Sequence, residues 1–372
     1  MGKQVLCMVI AAIALLPVTV QGQQAEKQSK SLKEKLLKFK ALGDSMAVKG
    51  LDRNYIDQPV NGFAVEVRST FHQASLQMNT LWEMDDSYLK ISADMDNGLN
   101  TSAGFWLGYR GIGFGLSKVT SGGKGSNLSL GLAGGNYAAN IRINSYRSKM
   151  PKLSLTGELN GEPVEGYEHD EIQDAIKVRS LYLDAYYFFN GKRFSYLAAV
   201  DQSLIQRRSA GSLVAGAMYY HTHISYSNDY VMALLMQGVG KQKFTQASIG
   251  GGYAYNWVPA RGWLVSVMAM PMLTFYNRTE LDYYELKYIG DKTDNNEIMY
   301  EPSDQFESVF VDKEKTSNHI ILNYNARLSL VYNWPRLYAR VFGHYNYFRY
   351  GRHSTSGHLS DWTVYVSLGY RF

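Results

Sequence analysis

The chain ends with the stretch "DWTVYVSLGYRF" at residues 361–372. Side chains on a β-strand point alternately to its two faces, so this stretch predicts a strand with one apolar face and one wetter face. Chain termini usually fray and face water, so an aromatic last residue raises the question of what holds it. The apolar positions of the stretch are Trp362, Val364, Val366, Leu368, Tyr370 and Phe372.

Length and composition are compatible with a protein made of many strands. The chain has 372 residues, enough for two soluble domains or for one large β-barrel. It contains 29 Tyr and 34 Gly but only 8 Pro, a balance that suits half-buried pleated strands. The mean hydropathy of −0.26 excludes a bundle of membrane helices. It does not exclude a transmembrane barrel, because the lumen-facing half of such strands is polar.

The N-terminus has the pattern of a secretory signal peptide. Lys3 precedes an apolar run over residues 5–20, and small residues precede Gln23. We therefore expect cleavage after residue 22 and export of the rest of the chain. The single cysteine, Cys7, lies in this segment, so the mature chain is expected to have no disulfide.

Residues 23–50 form a basic segment that differs from the rest of the chain. Leu32, Leu36 and Phe39 recur at helical spacing among several lysines. The segment could be an interfacial helix on anionic lipid, or a short solvated periplasmic leader, which we favour. The expected organisation is therefore a signal peptide (1–22), a leader (23–50) that includes a short helix, and a barrel domain (51–372).

Alternating segments dominate the chain from residue 61 onward, and several run for 10–14 residues. Strands in soluble sheets have about 5–6 residues, whereas tilted strands that cross a bilayer need about 9–11. The sequence therefore predicts an all-β, antiparallel transmembrane barrel of the outer-membrane type with an even number of strands, roughly 12–16.

The connections between these segments differ in length. Asn190 and Gly191 are a candidate two-residue hairpin turn between two alternating runs, and the stretches 258–261 and 333–335 are comparably tight. Residues 277–317 are long, acidic and polar, although their tyrosines suggest that part of them is an ordered hairpin. Short turns at one end and long loops at the other are typical of outer-membrane barrels.

One count along the chain conflicts with that rule. If the C-terminus lies at the end with short turns, counting back puts Asn190 and Gly191 at the other end and the long segment 148–177 among the short turns. Alternation is weak in residues 225–245, and an additional crossing there would restore the pattern.

Five stretches carry a resemblance to a known family: 51–59, 104–117, 178–220, 250–278 and 330–347. They are similar to a Bacteroidetes family of exported proteins known as domain of unknown function 4421, and the motifs "NGKRFSY", "QRRSAGS" and "GYAYNW" within them are its most specific parts. The resemblance covers nearly the whole mature chain and implies an outer-membrane barrel. It implies no activity, substrate or catalytic residue.

The residues do not predict catalysis, a cofactor or a metal site. His353 and Ser354 are adjacent, but no acidic residue orients them, and neighbours on a strand point to opposite faces. His221 and His223 could share a face and chelate a metal, but no third ligand lies near in sequence. We favour the interpretation that His221 and His223 form hydrogen bonds with neighbouring residues and do not bind a metal.

Arg327 and Arg340 are candidate lumen-lining residues. Each alternates with apolar neighbours within a strand, and an arginine in lipid near the bilayer midplane would cost about 2–4 kcal/mol. Inward arginines either belong to a packed polar network or line an anion-preferring passage, and we favour the network.

The sequence thus predicts an integral outer-membrane barrel of unestablished activity, with a structural role or a role in passive passage of small solutes. The alternatives are an outer-membrane enzyme that modifies lipid or envelope components, and a soluble periplasmic barrel that binds a ligand. Leu368, Tyr370 and Phe372 resemble the C-terminal signature that the outer-membrane assembly machinery reads. That machinery and outer-membrane lipids are the expected partners, without nucleic acid, and the oligomeric state stays open.

Overall fold

The computed structural model describes residues 50–59, 62–84, 87–96, 98–148, 152–169, 176–225, 239–288, 306–317, 320–352 and 355–372. The expected signal peptide and nearly all of the expected leader lie outside these residues. None of the described helices is long and apolar enough to span a membrane. The described elements are β1 (Ile56–Asp57), β2 (Phe63–Met84), β3 (Ser87–Asp96), β4 (Asn100–Tyr109), β5 (Ile112–Ser121), β6 (Gly123–Ala133), β7 (Tyr137–Ser148), β8 (Lys152–Leu159), β9 (Glu162–His169), β10 (Lys177–Phe188), α1 (Tyr196–Val200), β11 (Ile205–Gln206), β12 (Ala210–Ser225), β13 (Val239–Trp257), β14 (Trp263–Tyr288), β15 (Phe306–Ser317), β16 (Ile321–Asn333), β17 (Leu337–Arg352) and β18 (Thr355–Arg371).

Twelve of these strands form a closed antiparallel barrel. Around the ring they follow the order β2, β4, β5, β6, β7, β10, β12, β13, β14, β16, β17 and β18. The last strand pairs with the first, from Arg371 opposite Ala64 to Thr355 opposite Thr80, so the ring has no free edge. The prediction of an all-β antiparallel barrel with 12–16 strands is confirmed.

The strands place apolar side chains outside and polar side chains inside. On β16, Leu328 and Leu330 are exposed, whereas Asn325, Arg327 and Ser329 are buried in the lumen. The same alternation recurs around the ring because the side-chain period of a strand is two. The outer surface of the barrel is therefore apolar, whereas its interior holds buried polar groups together with apolar side chains such as Leu264, Met268 and Met270 of β14.

The two ends of the barrel differ in their connections. The end that contains Phe372, called here the C-terminal end, has tight turns at 110–111, 134–136, 258–262 and 334–336. The opposite end is called the distal end. There β2 continues past the ring to pair with β3, and β14 continues to pair with β15. These extensions form two β-arms, one made of β2, β3, β8 and β9 and the other of β14 and β15.

Part of the acidic segment 277–317 is an ordered hairpin, as predicted. Strand β14 runs on to Tyr288, and its last residues pair with β15 from Arg278 opposite Ser317 to Tyr288 opposite Phe306. Residues 289–305 lie outside the described part of the chain.

The segment after Asn190 and Gly191 departs from the prediction of a two-residue hairpin followed by a strand. These two residues lie in a turn, but β10 and β12 pair with each other across the longer connection 189–209, which contains α1. Every residue from Phe194 to Ala199 is buried, so the apparent alternation of this stretch does not separate two faces. A helix forms there, and Ser195 caps it by accepting a hydrogen bond from the amide of Ala198.

This correction removes the conflict in the count along the chain. Without a strand at residues 194–200, the connection 189–209 lies at the C-terminal end, and Ser148 and Lys177, which bound the next long connection, lie at the distal end. The described residues require no additional crossing in 225–245, although 226–238 lie outside them.

Candidate functional site

The lumen is the candidate site, and a folded connection occupies its C-terminal end. Residues 189–209, called the plug, are attached to the barrel wall by hydrogen bonds. The Ser329 hydroxyl donates to the carbonyl of Ala199 at 2.7 Å. The Arg371 guanidinium donates to both the backbone and the side-chain oxygen of Gln202 at 2.8 Å. The plug is therefore fixed to β16 and to the terminal strand.

Gln206 connects the plug to the segment before the barrel. Its side-chain nitrogen donates to the carbonyls of Arg193 at 2.6 Å and Arg208 at 2.9 Å, and its oxygen accepts from Asn256 at 3.0 Å. Strand β11, which includes Gln206, pairs with β1. The chain that enters the barrel and the plug thus close the C-terminal end together.

One buried ion-pair network is centred on Glu66, which is fully buried. Its carboxylate accepts hydrogen bonds from Arg340 at 2.8 Å, from Arg68 at 3.0 Å and from the Tyr338 hydroxyl at 3.0 Å. Glu66 and Arg68 both come from β2, two residues apart, so strand geometry puts them on the same inward face. The network joins β2 to β17.

A second network is centred on Asp184 of β10. Its carboxylate accepts from Arg327 at 2.8 Å, from Arg142 at 3.2 Å and from Asn140 at 2.6 Å. The Arg327 guanidinium also donates to the hydroxyl of Tyr196 in α1. This network therefore links strands on different sides of the barrel to the plug. We call the Glu66 and Asp184 networks together the charged layer.

The distal part of the lumen is less polar. There Asp361 accepts from the Tyr182 hydroxyl at 2.7 Å, and its carboxylate lies 3.1 Å from His72 Nε2. Above this cluster is a cavity of about 40 Å³, room for a few water molecules. The cavity is lined by Ala74, Leu76, Met95, Tyr146, Ile176, Val178, Ser180, Tyr182, Tyr220, Thr222, Ile224, Leu359 and Asp361. These residues and His72 together are called the distal layer.

Asp201, in the plug next to α1, is a buried acid. Burial raises the pKa of its carboxyl to about 7, against the lowering effect of a hydrogen bond from the Ser203 amide. Within the described residues its Oδ2 has no hydrogen-bond partner. The charge of the plug therefore changes near neutral pH.

The sequence-predicted lumen residues lie inside the barrel but in separate networks. Arg340 binds Glu66, and Arg327 binds Asp184, with 2% and 7% of their surfaces exposed. Both are held by carboxylates and are not free to line an open passage. The carboxylate partners of these two arginines, Glu66 and Asp184, were not predicted from the sequence.

The partners carry a signal that could have been used. Glu66 stands between Val65 and Val67, and Asp184 between Leu183 and Ala185, so each is a charged residue flanked by apolar neighbours in an alternating strand. The argument that turned Arg340 inward applies equally to them.

Five other singled-out residues face outward from the barrel. Leu368, Tyr370 and Phe372 are on the outward face of the closing strand, where Phe372 packs on Phe63 with ring centroids 5.4 Å apart. His221 and His223 alternate with buried residues, so they face outward as well, and His221 bonds Thr245. The described residues contain no cluster of three potential metal ligands. His353 and Ser354 lie outside them.

The chain matches the family model described as Domain of unknown function (DUF4421) over residues 50–372. It therefore belongs to this family. No curated protein matches the chain.

Several solved structures are similar to the chain at low identity. The outer membrane protease OmpT from Escherichia coli has 10% identity and a TM-score of 0.32, with 84% of this chain and 97% of that chain covered. OprG from Pseudomonas aeruginosa has 9% identity and a TM-score of 0.26, with 85% and 98% covered. An outer membrane channel from Pseudomonas putida F1 has 11% identity and a TM-score of 0.28, with 86% and 98% covered. Values this low carry no information on the activity of this chain.

Proposed function

We propose that this member of the DUF4421 family is an integral outer-membrane barrel with a closed lumen and a structural role in the envelope. The observation that carries the proposal is the apolar outer surface, which a soluble barrel would not expose to water. Exposed apolar side chains occur on strands all around the ring: Val67, Phe105, Leu107, Leu116, Ile143, Tyr187, Leu213, Ile249, Tyr253, Val267, Leu273, Leu328, Leu330, Val341, Val366 and Leu368.

The apolar surface has the dimensions and borders of a membrane belt. On β16, the outward residues between Tyr324 and Tyr332 are apolar, and the two tyrosines are eight residues apart, about 27 Å along the strand and about 21 Å in height at a tilt of about 40°. Transmembrane barrels have an apolar band about 25 Å tall between aromatic girdles. Exposed aromatic residues at the C-terminal end supply one girdle: Phe63, Phe189, Trp257, Trp263, Trp334 and Phe372.

The packing of the lumen favours a structural role over passive passage of small solutes. The plug is attached to the wall, and beyond it the charged layer connects strands across the lumen. A solute would have to separate buried ion pairs, and breaking such a pair costs about 3–5 kcal/mol. A liposome-swelling assay with a pentose tests this point. We expect no swelling, whereas swelling would replace the structural role by passive passage.

Export, orientation and assembly belong to the same proposal. A Gram-negative envelope of the Bacteroidetes type would receive the chain after cleavage behind residue 22. The C-terminal end would face the periplasm, and the β-arms would extend outside. Leu368, Tyr370 and Phe372 would be read by the assembly machinery and then contact lipid, and the barrel would have no catalytic activity.

Membrane extraction together with gel mobility tests the proposal. Carbonate-washed membranes should retain the protein, and the unheated sample should migrate differently from the boiled one, because a closed barrel resists unfolding in detergent. Release of the protein by carbonate would contradict the membrane barrel and support the alternative of a soluble periplasmic barrel.

A further inference from the structure

The charged layer contains more positive than negative charge. Its four guanidinium groups share two carboxylates, which leaves an excess of two positive charges. The ion pairs are Glu66 with Arg68 and Arg340, and Asp184 with Arg142 and Arg327. Burying unbalanced charge is unfavourable, so a buried excess of this kind favours a bound counter-ion.

Each of these four arginines has one buried donor nitrogen without a protein acceptor among the described residues, and two of them, Arg68 and Arg142, share a cavity. Arg68 and Arg142 are 8% exposed, and neither Nε finds a hydrogen-bond partner among the described side chains and backbone. Both guanidinium groups are fixed on aromatic rings. Arg68 lies 4.8 Å from the ring centre of Trp106, and Arg142 lies 4.8 Å from that of Tyr182. Their unpaired donors are therefore held in place.

Both arginines line the same small cavity, on the wall formed by β4 to β7. Its volume is about 10 Å³, the space of one water molecule or one small ion. The space exists because Gly115, Ser117 and Ser129 are small residues. A Cβ on Gly115 would come within 2.6 Å of the Ser129 hydroxyl. Asn127 also lines the cavity, and its lining contains no carboxylate.

We propose that this cavity binds one small monovalent anion of the size of chloride between Arg68 and Arg142. Hydroxyl and amide groups of Ser117, Ser129 and Asn127 would complete its coordination. The anion would halve the charge excess of the layer. The site goes beyond the proposed structural role and is independent of whether solutes pass through the barrel.

The first experiment measures unfolding of the wild-type chain in phospholipid vesicles while chloride replaces gluconate at constant ionic strength. An anion that binds the folded state alone shifts the folding equilibrium by the factor 1 + [L]/Kd, about 11-fold at ten times Kd. We expect a saturable increase with chloride and bromide and none with sulfate, which is too large for the cavity. A flat response would mean that water fills the cavity, and would overturn the proposal.

Variants then localise the effect. Asn127→Asp places a tethered carboxylate at the cavity and should abolish the chloride response. The matched control is Asn277→Asp, a buried lumen residue of β14 that does not line the cavity, and it should keep the response. If Asn127→Asp does not fold, Ser129→Val, which fills the space without charge, gives the same test. Loss of the response in Asn277→Asp, or its persistence in the cavity variants, would contradict the site.

Discussion

The charged layer and the distal layer occupy the same lumen but are built differently. In the charged layer, ion pairs of 2.8–3.2 Å between carboxylates and guanidinium groups tie strands together, and a hydrogen bond from Arg327 to Tyr196 adds the plug. In the distal layer a single carboxylate, Asp361, lies below apolar and aromatic walls and the larger cavity. There Tyr220 and Phe348 stack with ring centroids 4.3 Å apart.

The difference indicates which part of the lumen requires particular side chains and which part accepts changes in side-chain shape. An ion pair fixes its partners in one geometry and leaves an uncompensated charge if one partner is lost. Apolar contacts are less directional and tolerate small changes of shape. We therefore expect the charged layer to be sensitive to single changes and the distal layer to be tolerant.

The largest effect is expected for Asp184→Asn. This change leaves Arg142 and Arg327 without their carboxylate and should lower the free energy of unfolding by about 3–5 kcal/mol. Urea unfolding in vesicles measures the loss, and the gel mobility of the unheated sample verifies that the barrel has formed. A loss below about 1 kcal/mol would mean that the charged layer does not hold the barrel together.

The next largest effect is a pH dependence that comes from Asp201. Its pKa is about 7 in the folded barrel and near 3.8 when exposed, so the folded state holds a proton that the unfolded state releases. Stability should be full below pH 4, fall by about 1.4 kcal/mol per pH unit up to pH 7, and level off above. The total is about 4 kcal/mol.

Asp201→Asn isolates this contribution because it keeps the shape and removes the charge. The difference in unfolding free energy between the variant and the wild type, followed from pH 4 to pH 9, should rise over the same interval. A difference that does not vary with pH would contradict the assignment.

A smaller effect is expected for Asp361→Asn in the distal layer. This change keeps the side-chain shape but weakens the charge-assisted hydrogen bonds with Tyr182 and His72. It should lower the free energy of unfolding by about 1.5–3 kcal/mol. It is the matched counterpart of Asp184→Asn, measured in the same way. If it costs as much as the change at Asp184, the two layers do not differ in the way described.

Much of the barrel follows from local alternation in the sequence. Strand β18, the inward position of Arg340 and the ordered end of β14 each depend on neighbouring residues alone. A lone charge between outward apolar residues must face the lumen, whatever the strand pairs with. Such features could be predicted because the side-chain period acts over a few residues.

The plug and the partners in the charged layer could not be predicted in that way. Phe194 and Tyr196 fit a strand pattern, and α1 has only five residues, too few to reveal a helical period. Glu66 and Arg340 are 274 positions apart and meet only because the last strand closes on the first. Ring closure and register decide these contacts, and one sequence does not encode them locally.

The most direct test compares two adjacent positions on β16. Leu328 faces outward and Ser329 faces the closed lumen, and Cys7 lies in the predicted signal peptide, so single cysteines can be introduced with the wild-type chain as the blank. In proteoliposomes, a fluorophore on Leu328→Cys should be quenched by brominated lipid, and Ser329→Cys should resist a membrane-impermeant maleimide until the barrel is unfolded. Rapid labelling of Ser329→Cys in the folded protein would contradict the closed lumen. Absence of lipid quenching at Leu328→Cys would contradict the membrane barrel itself.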